Sequence, residues 1–282
     1  MPGNKDQVNY WNSKLGLKWI QFEDELDAVF ESVNQALVDR ARPKLGENLL
    51  DIGCGTGATA RAFSQLVSPG GYVTAVDISE PLLRHAKAQD CQANSGLTYS
   101  LLDAQTNAIP GGPFDLVISR FGAMFFADPV AAFANIRSHM KTGGRLAIAA
   151  WAPMKGNPWF EAPKNAAVDQ LGPPDRSDPN APGPLGFQNV DHVIALLEKS
   201  GFRNVSGQII MVTLMHSGPL ERVASLASNI GPAARILKKY SGSDADVAAI
   251  TSAVFDEYRK FETLKGVRIP AKINFFEASN PG

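Results

Sequence analysis

Apolar residues recur at helical spacing through residues 22–40, where Phe22, Leu26, Val29, Phe30, Val33 and Leu37 fall on one face before Pro43 stops the run. Beyond it, short apolar runs alternate with longer amphipathic ones. The pattern predicts strands near 47–52, 72–77, 97–102, 114–119 and 145–151, with helices over 57–67, 80–92 and 129–140 between them. Alternation of this kind implies right-handed βαβ units and a mostly parallel sheet covered by helices on both faces. The helix after Asp128 has the clearest punctuation, with Asp128 as N-cap, Pro129 at its first position and Gly143 near its end.

The character of the chain changes at 152–189, where Pro153, Pro158, Pro163, Pro173, Pro174, Pro179, Pro182 and Pro184 crowd together. Prolines at that density predict a loop, and loops of that length in compact domains commonly serve as lids or binding segments. A lid on the substrate side is therefore expected, with a plain surface loop as the alternative. Helical spacing returns over 190–199, a strand over 203–214, helices over 219–239 and 244–262, and a last strand over 267–278. The expected organisation is one domain over 1–282. It divides into an N-terminal helical segment (1–44), a ligand-binding core (45–151), the lid-like loop, and a remainder (190–282) enlarged by a helical insertion at 217–264.

Composition narrows the partners. A formal net charge of −1 over 282 residues offers no long-range field for nucleic acid or an anionic membrane. The densest basic group, Arg235 with Lys238 and Lys239, reads as one face of a surface helix. The longest apolar stretch, 146–151, is far short of the ~20 residues that span a bilayer, and the N-terminus has no apolar core of a signal peptide. Two cysteines, Cys54 and Cys91, make no disulfide framework, so a reduced cytoplasmic location is expected.

One stretch carries specific chemistry. In Asn48-Leu49-Leu50-Asp51-Ile52-Gly53-Cys54-Gly55-Thr56-Gly57-Ala58 an apolar strand ends in an acid and breaks into alternate glycines before a helix. Glycines there allow a sharp turn with φ > 0 and let a ligand lie against the main chain. The dinucleotide fingerprint would place its third glycine one residue later, and Asp51 would repel a pyrophosphate. A carboxylate suits a ligand that presents a cation, as the α-ammonium and sulfonium of S-adenosylmethionine do. A second apolar strand, 71–76, ends in Asp77 about 20 residues on, the spacing at which an acid accepts from ribose hydroxyls.

These residues resemble the class I S-adenosylmethionine-dependent methyltransferases, in the branch of the ubiquinone and menaquinone biosynthesis C-methyltransferases. The matching segments are Leu50 to Gly57, Val76 to Ser79, Leu102-Asp103-Ala104, Phe114 to Ser119 and Lys141 to Leu146, spanning roughly residues 45–151. The resemblance implies a Rossmann-like, doubly wound α/β fold with a mostly parallel seven-stranded sheet, an N-terminal helix and cap insertions. It also implies methyl transfer from S-adenosylmethionine to a small, partly apolar acceptor, with no metal.

On this reading Asp51 holds the methionyl ammonium or caps the loop's own amides. Gly53, Gly55 and Gly57 let the loop approach the ligand, and Thr56 donates to it. Asp77 carries the ribose and Ile78 packs on the adenine, unless each is only a helix-start acid and a core isoleucine. The resemblance further implies that Asp103 accepts from the adenine amino group while the Ala104 amide meets a ring nitrogen, unless Asp103 is a loop aspartate with no ligand. Ser119 and Arg120 leave the fourth strand where such enzymes contact the cofactor, Arg120 being a departure that meets a carboxylate or forms an ordinary ion pair. Phe121, Met124 and Phe125 line an acceptor pocket or pack under the lid. Trp19, with Trp11 and Tyr10, covers the cofactor or anchors the N-terminal helix. His85 and His139 read as solvent-facing, and His216 is the one histidine considered as a general base; no catalytic residue is assigned. Two rivals stand beside this reading: a non-catalytic S-adenosylmethionine-binding module and a nucleotide-dependent oxidoreductase.

Overall fold

The computed structural model describes residues 4–90, 96–175 and 178–282, without the side chain of Leu15. The chain begins with α1 (Lys5–Trp11) and α2 (Lys14–Gln21), followed by the long α3 (Glu23–Ala41). Then come β1 (Asn48–Ile52), α4 (Ala58–Val67), β2 (Tyr72–Asp77), α5 (Glu80–Gln89), β3 (Leu97–Leu101), β4 (Phe114–Arg120), α6 (Pro129–Ser138) and β5 (Met140–Trp151). The second half holds α7 (Pro158–Leu171), α8 (Val190–Lys199), β6 (Arg203–His216), α9 (Leu220–Asn229), α10 (Gly231–Tyr240) and α11 (Asp244–Tyr258). The two-residue β7 (Glu262–Thr263) and the long β8 (Gly266–Ser279) close it. The end of the helix expected over 80–92, with Cys91, lies outside the described residues.

The strands form one sheet in the order β3-β2-β1-β4-β5-β8-β6, with β7 paired to β8. The strands β1 to β5 run parallel, while β8 is antiparallel to both β5 and β6. This is the doubly wound architecture read from the sequence, with the short β7 as an eighth strand. Strand order reverses between β1 and β4, and such a switch point opens a crevice at the carboxyl ends of the strands. The glycine loop leaves β1 at that crevice, and Arg120 ends β4 beside it. The apolar stripe of α3 is buried as its spacing requires: Leu26, Val29, Phe30, Val33 and Leu37 are all at most 3 % exposed.

Two elements differ from the sequence expectation. Residues 158–171 are helical, although the proline count reads as a loop. Pro158 sits at the first helical position, where its missing N–H is harmless. Pro163 stands inside the helix and leaves the Trp159 carbonyl without its usual donor. The buried Tyr258 hydroxyl of α11 donates to the Pro158 and Trp159 carbonyls instead, at 3.2 and 3.4 Å. The helix expected over 219–239 is two helices, because Gly231 takes φ 68° ahead of Pro232 and breaks the run. With α7, the helices α9, α10 and α11 pack into a cap. Among the described residues, no helix is long and apolar enough to cross a membrane.

Candidate functional site

The glycine loop is held open by backbone geometry. Gly53, Gly55 and Gly57 all have positive φ, at 67°, 57° and 89°. Each glycine has a different reason. A Cβ on Gly53 would stand 2.7 Å from the Gly122 Cα, and one on Gly57 would stand 2.7 Å from the Tyr99 hydroxyl. A Cβ on Gly55 would meet nothing within 4 Å, because that position faces the cleft. Asp77 clamps the loop: its Oδ2 accepts from the Gly55 amide and its Oδ1 from the Ser79 amide, both at 2.8 Å. The Ile78 amide also bonds this carboxylate, and the remaining lone pair can take a ligand hydroxyl.

Behind the loop, Asp51 is 1 % exposed and its Oδ2 has no hydrogen-bond partner among the described residues. Burial pushes its carboxyl up to about 7, with Arg120 opposing and Asp77 adding to the rise. Burial also drives the Arg120 guanidinium down, although Asp27 and Asp51 hold it charged. Arg120 reaches Asp27 at 3.7 Å. A buried carboxylate with an unsatisfied oxygen favours a cationic donor as its partner.

At the far end of the cleft Asp103 accepts from the side chain of Asn4 at 2.8 Å and from the Gln105 amide at 2.9 Å. Asn4 also accepts from the Ala127 amide at 2.8 Å, so it staples α1 across the cleft. The connection between α1 and α2 is tied down too: Asn12 donates to the Ile78 carbonyl at 3.3 Å, and the Ser79 hydroxyl donates to the Trp11 carbonyl at 3.1 Å. The cleft walls carry Gly53, Gly55, Thr56, Asp77, Ile78, Asp103, Ala104, Arg120, Trp19, Phe121 and Phe125 from the sequence-derived set. The cleft encloses about 120 Å³ and opens to solvent at one side.

A smaller chamber adjoins this cleft and shares Trp11, Trp19, Phe30, Phe121 and Phe125 with it. Met124, Trp151, Trp159, Phe160, Ile230 and Arg235 complete most of its wall. Phe121 stacks on Trp151 with centroids 4.9 Å apart and planes 7° from parallel. It does so in a left-handed conformation, φ 64°, unusual for a bulky residue and worth about 1–2 kcal/mol of strain. The segment after α7 is pinned over the chamber by the Gly183 amide, which donates to the Met124 carbonyl at 3.1 Å.

Several candidates stand elsewhere. Asp51, Gly57 and Ser119 lie behind the cleft wall; the Ser119 hydroxyl donates to the Ile52 carbonyl at 2.8 Å and accepts from the Ala123 amide at 3.0 Å. Met124 reaches only the aromatic chamber. His216 is on neither wall; its Nδ1 accepts from the Gly218 amide at 2.9 Å, and burial lowers its pKa. His85 and His139 are half-buried and partnered: the first pairs with Glu23, and the second accepts from the Ile109 amide at 3.1 Å. Asn4, Phe30 and Gly122 were not legible as site residues, because an asparagine, a core phenylalanine and a loop glycine carry no distinguishing spacing.

The donor set fits S-adenosylmethionine. The unpartnered Asp51 oxygen behind the cleft wall suits a cation in front of that wall, the Asp77 carboxylate suits a ribose hydroxyl, and the space a Gly55 Cβ would fill admits a ligand against the main chain. Residues 50–148 match the family model described as a methyltransferase domain. The chain is 32 % identical over 148 residues to the nocamycin O-methyltransferase of Saccharothrix syringae, covering 51 % of this chain and 53 % of that one. It is 31 % identical over 154 residues to the ubiquinone/menaquinone biosynthesis C-methyltransferase of Saccharophagus degradans, covering 54 % and 53 %. The chain thus spans about half the length of the curated relatives it matches. Its fold is similar to phosphoethanolamine N-methyltransferase 2 of Haemonchus contortus, solved in complex with S-adenosyl-L-methionine. That likeness has a TM-score of 0.51 at 20 % identity, over 89 % of this chain and 52 % of that one.

Proposed function

We propose, for a chain that carries a methyltransferase domain over residues 50–148 and resembles the class I S-adenosylmethionine-dependent methyltransferases, that it methylates a small, partly apolar molecule held in the aromatic chamber. The observation that carries this reading is the shared wall of cleft and chamber at Trp11, Trp19, Phe30, Phe121 and Phe125. S-adenosylmethionine, when bound, supplies a methyl group already activated by its sulfonium. The protein's task is then alignment and exclusion of water, which can lower such a barrier by roughly 7–11 kcal/mol. Asp51, set behind the cleft wall, would hold the ammonium through water, Asp77 would hold the ribose and Asp103 the adenine edge. The rings of the shared wall would set the acceptor atom in line, and the cap of α7, α9, α10 and α11 with the segment 172–189 would serve as the lid.

Calorimetric titration of S-adenosylhomocysteine and NAD, followed by transfer assays with a labelled methyl donor and aromatic acceptors, tests the reading. Binding of S-adenosylhomocysteine, no binding of NAD and label in an acceptor are expected. NAD binding alone would support the oxidoreductase rival. Cofactor binding with no label passed to any acceptor would support the non-catalytic module.

A further inference from the structure

All four tryptophans of the chain, Trp11, Trp19, Trp151 and Trp159, stand on the walls of the aromatic chamber. Among its fourteen described lining residues one side chain carries a charge, and it is Arg235 of α10. The guanidinium carbon lies 5.9 Å from the Tyr10 ring centroid, over its face. Arg235 also lines the outer vestibule between α7, α10 and the segment 172–189, so it stands where vestibule and chamber meet.

The charges around that position do not neutralise it. Lys164 of α7 is a second cation in the vestibule. Of the two carboxylates there, Asp175 is taken by Lys239 at 2.7 Å, and Asp178, which accepts from the Asn180 amide at 2.9 Å, keeps its charge but forms no ion pair with Arg235. Among the described residues Arg235 forms no ion pair with any of them. Ring faces alone would favour a cationic guest, because the aromatic quadrupole is negative at the face. Here a protein cation already covers the Tyr10 face and repels such a guest. A planar ring with an anionic substituent meets both demands: the ring stacks between aromatic walls, and the anion receives the guanidinium fork.

We infer that Arg235 selects the acceptor, and that the acceptor class is a planar aromatic acid whose anionic group docks on Arg235 at the chamber mouth while its ring lies between the tryptophans. This rests on the methyltransferase reading for the word acceptor, but the binding preference stands apart from it. The surface helix face read from Arg235, Lys238 and Lys239 is thereby divided: Lys239 pairs with Asp175, while Arg235 serves the chamber.

The test uses 4-nitrobenzoate and its neutral isostere 4-nitrobenzamide, with tryptophan quenching read on the full chain saturated with S-adenosylhomocysteine. The benzoate is expected to bind about tenfold more tightly than the benzamide, as befits one charge-assisted hydrogen-bonded contact. Arg235→Gln should abolish that preference while leaving benzamide affinity within about twofold, and Arg235→Lys should keep part of it. Equal affinity for the two probes in the wild type, binding of neither, or a preference that survives Arg235→Gln would overturn the inference. Calorimetry of S-adenosylhomocysteine in the same samples separates the two failures. Lost cofactor binding would sink the methyltransferase reading, whereas intact cofactor binding without the benzoate preference would sink only the role of Arg235.

Discussion

Asp51 offers the sharpest quantitative test, because one buried carboxyl links stability, pH and cofactor binding. Its pKa is raised from 3.8 to about 7, first by burial and then by Asp77, against the pull of Arg120. The folded protein therefore binds this proton more tightly than the unfolded chain does. The contribution to stability is full below about pH 4 and is lost as pH rises through about 7, a change of up to about 4 kcal/mol at roughly 1.4 kcal/mol per pH unit. Asp51→Asn removes the ionisation, so its cofactor-free form should melt above the wild type at pH 8 and approach it only near pH 4. Ligand binding should run the other way. A cofactor ammonium against Asp51 requires the anion, so S-adenosylhomocysteine affinity should climb from pH 5.5 to 8 by about 30-fold, or about 2 kcal/mol, flattening above 7. Burial raises Asp77 as well, and Asp51→Asn assigns the slope, since it should bind weakly without pH dependence. Calorimetry in buffers of different ionisation heat should find nearly one proton released per ligand bound at pH 6. A flat pH profile in the wild type, or wild-type affinity in Asp51→Asn at pH 8, would refute the argument.

Other substitutions separate binding from folding. Gly55→Val places a side chain in the cleft at φ 57°; it should cost about 1–2 kcal/mol of apo stability by thermal melt yet abolish S-adenosylhomocysteine binding, and retained binding would reduce the glycine to a turn former. Asp77→Ala removes the clamp on the Gly55 amide together with the proposed ribose acceptor, so it should weaken binding by more than ~10-fold. Asp77→Asn keeps one acceptor oxygen, and its affinity should fall between the two; equal affinity for all three proteins would remove Asp77 from the site. Phe160 lines the chamber but not the cleft. Phe160→Leu should change acceptor selectivity with cofactor affinity held within about twofold, and a parallel fall in both would contradict the division into two compartments.

Much of this protein is decided by short-range pattern. Parallel strands buried on both faces read as continuous apolar runs, and β1, β2 and β4 announce themselves that way. The glycine loop and Asp77 are legible because positive φ and strand-end acids leave their mark within a few residues. The buried stripe of α3 is legible because helical periodicity and burial share one spacing. Tertiary structure alone decided the rest. Proline density predicted a loop over 152–189, and within it the helix at 158–171 has its Pro158 and Trp159 carbonyls satisfied by Tyr258, about a hundred residues away, a donor no local window contains. Gly53 and Gly122 are both glycine because two backbones touch, a contact no local window contains. Phe30 and Phe121, like Trp151 and Trp159, look the same in sequence whether they fill a core or wall a chamber. The difference lies in whether their neighbours from distant segments close the space or leave it open. The same holds for Arg235, whose helix reads as an ordinary basic surface until the fold sets it at the mouth of an aromatic chamber with no carboxylate paired to it among the described residues.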